Sequence, residues 1–182
     1  MRPIAAALSP ELAAATASDP LLAEILTGLT APQKYLYTKF FYDEHGSQLF
    51  DRICELPEYY LTRTEQAILE THAPSFIRRL GPGIRLVEPG SGSSLKTRVL
   101  LDALVAPAAY VPVDISRSHL LAVAESLVTR YPCIEILPVC ADFTQPFEAP
   151  DATIPIRRTM VFFPGSTLGN FAQADALALL QR

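Results

Sequence analysis

The pattern of apolar and polar positions divides the chain near residue 81. Residues 1–30 are rich in alanine and leucine and predict two helices, one beginning at Ser9-Pro10 and one running from Asp19-Pro20 through residue 29. Residues 31–62 are dense in aromatic side chains, and Ser47 is expected to cap a short helix over residues 48–54. The first eighty residues therefore predict a helical region.

A longer helix is predicted to end this region. Thr62 and Glu65 have the Thr-x-x-Glu spacing of a capping box, in which the threonine caps the first turn and the glutamate bonds back to it. The helix is expected to continue to about residue 79, because Gly81-Pro82-Gly83 stops it.

From residue 84 onwards, short apolar runs are separated by helical lengths. Strands are predicted over residues 84–88, 110–113, 134–139 and 159–163, with helices over 95–105 and 116–131. This alternation is typical of parallel βαβ units in an α/β fold. The fourth strand is expected at a sheet edge. Since an open doubly wound sheet normally continues past such a strand, we expect the chain to be cut short at its C-terminus.

Composition narrows the class of protein. A net charge of −4 gives no reason to expect nucleic acid or an anionic membrane as a partner. No apolar stretch approaches the roughly 18 residues of a membrane span. The three cysteines are odd in number and lack Cys-x-x-Cys pairing, so neither a zinc site nor a disulfide framework is indicated. We expect buried cysteines in a cytoplasmic protein.

Candidate chemistry begins where the first predicted strand ends. Gly90-Ser91-Gly92 follows that strand, and neither glycine carries a Cβ that would block a ligand. Ligands bind such sheets at the carboxyl ends of the strands. Asp114 ends the second strand, 22 positions beyond Gly92, which is the spacing of an acid that accepts hydrogen bonds from ribose hydroxyls. Capping of the next helix is the alternative role for Asp114.

The third strand is followed by Asp142-Phe143, a carboxylate that can accept from an adenine amine beside a ring that can pack on the base. A solvated loop position is the alternative for Asp142. A dinucleotide fingerprint is incomplete because Leu95 stands where a third glycine belongs, and Lys96 is not part of a Gly-Lys-Ser/Thr motif. The adenosine half of a sulfonium cofactor therefore fits better than a pyrophosphate.

With these residues the chain, from about residue 28 to its end, resembles the histidine-specific Nα-methyltransferases of ergothioneine biosynthesis, which use S-adenosylmethionine. The matching segments occur in the family's order: Lys39-Phe40-Phe41-Tyr42-Asp43, Gly46-Ser47-Gln48-Leu49-Phe50-Asp51, Leu56-Pro57-Glu58-Tyr59-Tyr60, Thr62-Arg63-Thr64-Glu65, Gly90-Ser91-Gly92-Ser93-Ser94-Leu95-Lys96-Thr97-Arg98, Asp114, Ala141-Asp142-Phe143 and Gly165-Ser166-Thr167-Leu168-Gly169-Asn170.

The resemblance implies a Rossmann-like class I methyltransferase sheet, of which the first four strands are present, preceded by a helical, aromatic-rich region. It implies that residues 1–80 contribute to the substrate pocket and that residues 81–182 form part of the cofactor-binding domain. Cofactor contacts are implied at Tyr42, Gly90, Lys96, Asp114, Asp142 and Phe143. Further substrate-binding residues of the family lie in the part that is missing here.

Substrate contacts are implied at Phe50, Tyr59, Gly165 and Asn170. Tyr59 would bond the imidazole and Asn170 the carboxylate, while the Phe50 ring and the Gly165 carbonyl would face the amine. The implied reaction is trimethylation of the α-amino group of L-histidine to hercynine. It needs no metal and no catalytic acid, base or nucleophile, because positioning of the reactants supplies the acceleration.

Other functions stay open at this point. The substrate could be another amino acid or an indole alkaloid precursor, or the chain could be an inactive cofactor-binding fragment. A nicotinamide-dependent oxidoreductase is disfavoured by the absent third glycine. We expect a small amino acid as the only partner, and a monomer for the full-length protein.

Overall fold

The structure is a computed structural model that describes residues 19–181. The helix predicted from Ser9-Pro10 lies outside the described residues. The described residues divide into two compact units, one up to residue 40 and one from residue 41 onwards. The assignment of residues 1–80 to the substrate pocket and of residues 81–182 to cofactor binding stays a prediction.

In the first unit, helix α1 spans Pro20–Thr30. The Asp19 carboxylate caps it by accepting hydrogen bonds from the amides of Leu21 and Leu22 at 3.0 and 3.2 Å. An aspartate followed by proline favours this start, because the carboxylate satisfies free amides while proline has none to satisfy. The predicted second helix is confirmed. A 3₁₀ turn, Thr38–Phe41, follows it.

Two helices precede the sheet in the second unit, α2 over Glu44–Glu55 and α3 over Tyr60–Leu80. The Ser47 cap is wrong, since α2 begins earlier and Ser47 is buried inside it. Asp43 is the cap, and its carboxylate accepts from the Gly46 amide at 2.7 Å.

The capping box predicted for the next helix is also wrong. Helix α3 begins at Tyr60, before Thr62, and no side chain caps its first turn. The Thr62 hydroxyl instead lies 3.5 Å from the Cys54 sulfur. Glu65 turns away from the helix start, because it has partners elsewhere in the unit.

The remaining elements alternate as the sequence predicts, and the strands are parallel. Their bounds are β1 Ile84–Pro89, α4 Leu95–Ala103, β2 Ala109–Asp114, α5 Arg117–Arg130, β3 Glu135–Ile136, β4 Val139–Cys140, β5 Arg158–Val161, a 3₁₀ turn Thr167–Asn170, and α6 Gln173–Leu180. The strand order is β3-β2-β1-β5, and β4 pairs with β2 farther along. This is the predicted Rossmann-like α/β arrangement.

The third predicted strand is divided in two. Strand β3 pairs with Ala109 and Tyr110, whereas β4 pairs with Val113 and Asp114. Pro138 lies between them and has no N–H to donate to the ladder. Both pieces lie beside β2, so the predicted position of the strand is correct and its continuity is not.

The two central strands form the core. Every residue of β2 is buried, and Leu86 of β1 packs with Leu100 and Leu127 from the flanking helices. Burying each leucine contributes about 1.5–3 kcal/mol. Pro89 pairs with Val113, so the loops that follow β1 and β2 leave the sheet side by side.

Strand β5 lies at the end of the strand order, as predicted for an edge strand. Its Val161 side chain is 64% exposed, which is unusual for valine in a parallel sheet. Among the three cysteines, Cys54 is half-buried while Cys133 and Cys140 are exposed, so the expectation that all three are buried is wrong.

Candidate functional site

The turn after β1 is fastened to the end of β2. The amides of Gly90 and Ser91 both donate to the carbonyl oxygen of Val113, at 2.8 and 3.1 Å. Gly90 and Gly92 have φ angles of +66° and +48°, a region that residues with a Cβ adopt only at a cost. The fold thus brings the backbone of this turn to the carboxyl end of the sheet.

Asp114 lies against the same turn. One carboxylate oxygen accepts from the Gly92 amide at 3.0 Å, and the other accepts from the Ser116 amide at 2.9 Å. The second bond closes a turn at Ser116, the residue before α5, and no side-chain hydrogen bond caps that helix, so the alternative role of Asp114 as its cap is wrong. The first bond joins Asp114 to the glycine turn, and its role towards ribose hydroxyls stays a prediction. Each oxygen keeps a further lone pair for a ligand hydroxyl.

Phe143 covers the other side of the turn. A Cβ placed on Gly90 would lie 3.3 Å from Cε1 of this ring, so the close approach depends on glycine. The ring also makes edge-to-face contacts with Phe163 and Phe171, at centroid distances of 5.5 and 6.3 Å. Asp142, the preceding residue, accepts hydrogen bonds from the amide and hydroxyl of Thr144.

Three predicted residues from the helical region form a row of edge-to-face aromatic rings, here called the aromatic row. The centroids of Tyr42 and Phe50 are 5.8 Å apart, and those of Phe50 and Tyr59 are 6.1 Å apart. Burial raises the pKa of the Tyr42 phenol, and electrostatic interactions with Tyr59, Cys54 and Asp114 raise it further. Of these three rings, it is Tyr42 that interacts electrostatically with Asp114.

Lys96 and Gly165 also lie together. The Lys96 ammonium is 3.5 Å from the position that a Cβ of Gly165 would take, and Gly165 has a φ of +83°. Asn170 ends the 3₁₀ turn of the same loop and is exposed. Its predicted contact with a substrate carboxylate stays a prediction, as do the ligand contacts of the other nine site residues.

Glu65 is a neighbour that the sequence did not assign to this site. Its carboxylate pairs with the Lys96 ammonium and accepts a hydrogen bond from the Gly165 amide at 2.7 Å. Glu65 belongs to a segment that matches the family, and this could have indicated a place in the site. The Thr-x-x-Glu spacing instead explained the glutamate as part of a helix cap.

Glu88 is a second missed residue. It is fully buried at the end of β1, where it accepts a hydrogen bond from the Tyr110 phenol. Burial raises the pKa of Glu88 to about 7, although the Thr97 and Tyr110 hydroxyls and the Lys96 ammonium act to lower it. The sequence indicates it by an acid at the end of an apolar run, because a carboxyl group buried with such a strand needs a hydrogen-bond partner.

Within residues 19–181, no cluster of three or more histidine, cysteine or acidic side chains is placed to hold a metal ion. No helix in that part of the chain is long and apolar enough to cross a membrane.

Similarity to known proteins extends over most of the chain. Residues 21–182 match the family model described as histidine-specific methyltransferase, SAM-dependent. The chain is 42% identical over 173 residues to the histidine N-alpha-methyltransferase of Mycolicibacterium smegmatis, covering 93% of this chain and 52% of that protein. It is also 42% identical over 151 residues to the enzyme of the same name from Mycobacterium tuberculosis, covering 81% of this chain and 46% of that protein.

A more distant relative is several times longer than this chain. Ergothioneine biosynthesis protein 1 of Neurospora crassa is 32% identical over 157 residues, covering 81% of this chain and 17% of that protein. The chain spans about half the length of the two mycobacterial relatives. Because the family model matches residues 21–182, which is most of the chain, the chain belongs to the family of S-adenosylmethionine-dependent, histidine-specific methyltransferases.

Proposed function

We propose that this protein binds S-adenosylmethionine at the carboxyl end of its sheet and methylates the α-amino group of L-histidine. The observation that carries the proposal is the glycine turn at the carboxyl end of the sheet, bound by Asp114 on one side and covered by the Phe143 ring on the other. The aromatic row supplies the proposed substrate side. Family membership and the names of the two mycobacterial relatives support the choice of substrate.

The residues present fit the adenosine part of this cofactor. A Cβ on Gly92 would meet nothing within 4 Å, so the backbone there borders open space. The Ser91 hydroxyl oxygen is buried and has no hydrogen-bond partner within the described residues, which is costly unless a ligand satisfies it. Asp114 offers acceptors for ribose hydroxyls, Asp142 for the adenine amine, and Phe143 a ring face for the base.

The aromatic row suits an amine that gains methyl groups. The ring of Phe50 can attract the cationic product through its face, a contact worth about 0.5–2 kcal/mol depending on how far it is desolvated. Tyr59 supplies a phenol for the imidazole, and Asn170 an amide for the substrate carboxylate. The Gly165 carbonyl is the acceptor that we assign to the amine.

Chemistry at this site consists of positioning. S-adenosylmethionine, when bound, supplies an electrophilic methyl group on a sulfonium. The chain must hold a neutral amine in line with that methyl group, and an aromatic pocket favours the neutral amine because desolvation lowers the pKa of an ammonium. Such alignment can supply about 7–11 kcal/mol of the barrier reduction. We assign no residue as acid, base or nucleophile, and we propose hercynine as the end product.

The test combines binding with product analysis. Calorimetry should detect S-adenosylhomocysteine and not NAD, and mass spectrometry should detect mono-, di- and trimethylated histidine. Asp142→Ala should weaken S-adenosylhomocysteine binding by roughly 1–3 kcal/mol if the carboxylate pairs with adenine. The matched control is Asp151→Ala, because that carboxylate is fully exposed. Binding of NAD alone would refute the proposal, and cofactor binding without methylation of histidine would indicate another substrate or an inactive fragment.

A further inference from the structure

The carboxylate of Glu65 joins three chain segments that are distant in sequence. It lies in α3, and its partners are Lys96 in α4, 31 positions away, and Gly165 in the loop after β5, 100 positions away. One oxygen accepts from the Gly165 amide at 2.7 Å and the other pairs with the Lys96 ammonium. We call this arrangement the Glu65 bridge.

The geometry differs from that of an ordinary surface glutamate. Glu70, one turn farther along α3, is exposed and accepts from Gln66 of its own helix. The Glu65 and Lys96 side chains are only 31% and 20% exposed, which reduces the screening that weakens surface ion pairs. The bridge therefore contributes more to local order than an exposed pair would.

The loop at Gly165 depends on this contact for its amide. Gly165 is exposed and has a φ of +83°, and the bond to Glu65 is the hydrogen bond that the described structure gives its N–H. A hydrogen bond to a charged acceptor is stronger than one between neutral groups. Without it, the following 3₁₀ turn would keep two backbone hydrogen bonds, from the Gly169 amide to the Ser166 carbonyl and from the Phe171 amide to the Leu168 carbonyl, and Phe171 would keep its ring contact with Phe143.

We propose that Glu65 is a positioning residue that couples the cofactor side of the site to its substrate side. One rigid carboxylate sets the place of the Lys96 ammonium and the conformation of residues 165–170 together. This inference rests on the proposed function, which assigns Lys96 to the cofactor and Gly165 and Asn170 to the substrate. Because coupling between two sites is reciprocal, a ligand that orders one side also favours order on the other.

Three variants separate the parts of the bridge. Glu65→Ala removes both contacts, and Glu65→Gln keeps a neutral acceptor for the Gly165 amide while it removes the charge that Lys96 faces. Glu70→Gln is the matched control, because it changes the same residue type on the same helix, where the exposed carboxylate accepts a hydrogen bond from Gln66 one turn away.

The experiment measures hydrogen exchange of residues 165–170 in the whole chain, with and without S-adenosylhomocysteine. Without ligand, Glu65→Ala should speed exchange in this segment at least about tenfold, as expected for the loss of a charge-assisted hydrogen bond. Glu65→Gln should give a smaller increase, and Glu70→Gln none. With ligand, the wild-type segment should become slower to exchange, and this protection should be absent in Glu65→Ala.

Exchange at wild-type speed in Glu65→Ala would overturn the bridge, as would an equal increase in Glu70→Gln. If Glu65→Ala does not fold, the comparison of Glu65→Gln with Glu70→Gln decides the same question. Failure of the wild-type chain to bind S-adenosylhomocysteine would refute the proposed function and with it the coupling. The exchange rates without ligand would still report separately on whether Glu65 holds the loop.

Discussion

The phenol of Tyr110 donates a hydrogen bond to the carboxylate of Glu88 across the two central strands, and its oxygen lies 2.8 Å from the hydroxyl of Ser94. All three side chains are buried. Ser94 has a φ of 53° and is the residue before α4, so this chain of hydrogen bonds supports a strained residue at the end of the glycine turn. The buried acid is thus connected to the residue at the end of the glycine turn through one tyrosine.

The first prediction concerns the pH dependence of stability. The pKa of Glu88 is about 7 in the folded protein against an ordinary value of 4.5. Between these pH values the unfolded chain loses this proton and the folded chain keeps it. Glu88 should therefore lower the free energy of unfolding by about 3 kcal/mol as pH rises from 4.5 to 7, with no further change above that range.

Urea unfolding of the wild type and Glu88→Gln across this pH range isolates the effect. The charged or titratable groups that act on Glu88 are Tyr110, Lys96 and Asp114, and they are unchanged in the variant. As pH rises from 4.5 to 7, the unfolding free energy of the wild type should fall relative to that of Glu88→Gln. A difference that is constant from pH 4.5 to 7 would contradict a raised pKa.

The second prediction is that Tyr110→Phe destabilises the protein by about 1–3 kcal/mol, because it leaves both Glu88 and Ser94 without their phenol partner. The matched control is Tyr131→Phe. Its phenol bonds to Asp102 at 2.9 Å, but that carboxylate is 53% exposed and can be rehydrated. Chemical denaturation at fixed pH should give a clearly larger loss for Tyr110→Phe, and equal losses would count against the buried chain.

The third prediction compares two glycines of the turn. Gly90→Ala and Gly92→Ala both place alanine at a positive φ, at a cost of roughly 1–2 kcal/mol. Only the Cβ at position 90 also meets a ring, that of Phe143 at 3.3 Å. Gly90→Ala should therefore lower the unfolding free energy more than Gly92→Ala. Phe143→Leu should recover part of that extra loss, and additive effects of the two substitutions would refute the contact.

The fourth prediction concerns Asp114. Its replacement by alanine should weaken S-adenosylhomocysteine binding by roughly 1–3 kcal/mol, because the Gly92 amide loses its acceptor and the ribose loses the proposed one. Calorimetry provides the measurement. Asp19→Ala is the control, since Asp19 also accepts from two backbone amides at a helix start. It should lower stability and leave affinity unchanged, and an equal loss of affinity in both variants would point to a general effect of folding.

Local patterns were sufficient for much of the fold. The alternation of short apolar runs and helical lengths placed the strands and predicted that they are parallel, because two parallel strands need a crossover of a dozen or more residues, and a helix usually forms it. The sequence also predicts the start of α1 at Asp19-Pro20, because the cap and the proline act within one helical turn. The sequence contains Pro138 within the third predicted strand, but the division of that strand in two follows from how its residues pair with β2 in the sheet.

By itself, the sequence determined which residue types stand at the carboxyl ends of the strands, among them Gly90, Asp114 and Phe143, because strand ends and turns follow from local pattern. Only the tertiary structure decided how the acids Glu65 and Glu88 are used. Glu65 had a local partner available in a capping box, but packing of α3 against α4 placed Lys96 beside it, and the loop after β5 brought the Gly165 amide to it. A hydrogen-bond partner 31 or 100 residues away is chosen by the geometry of the packed elements, and no spacing along the chain encodes that choice.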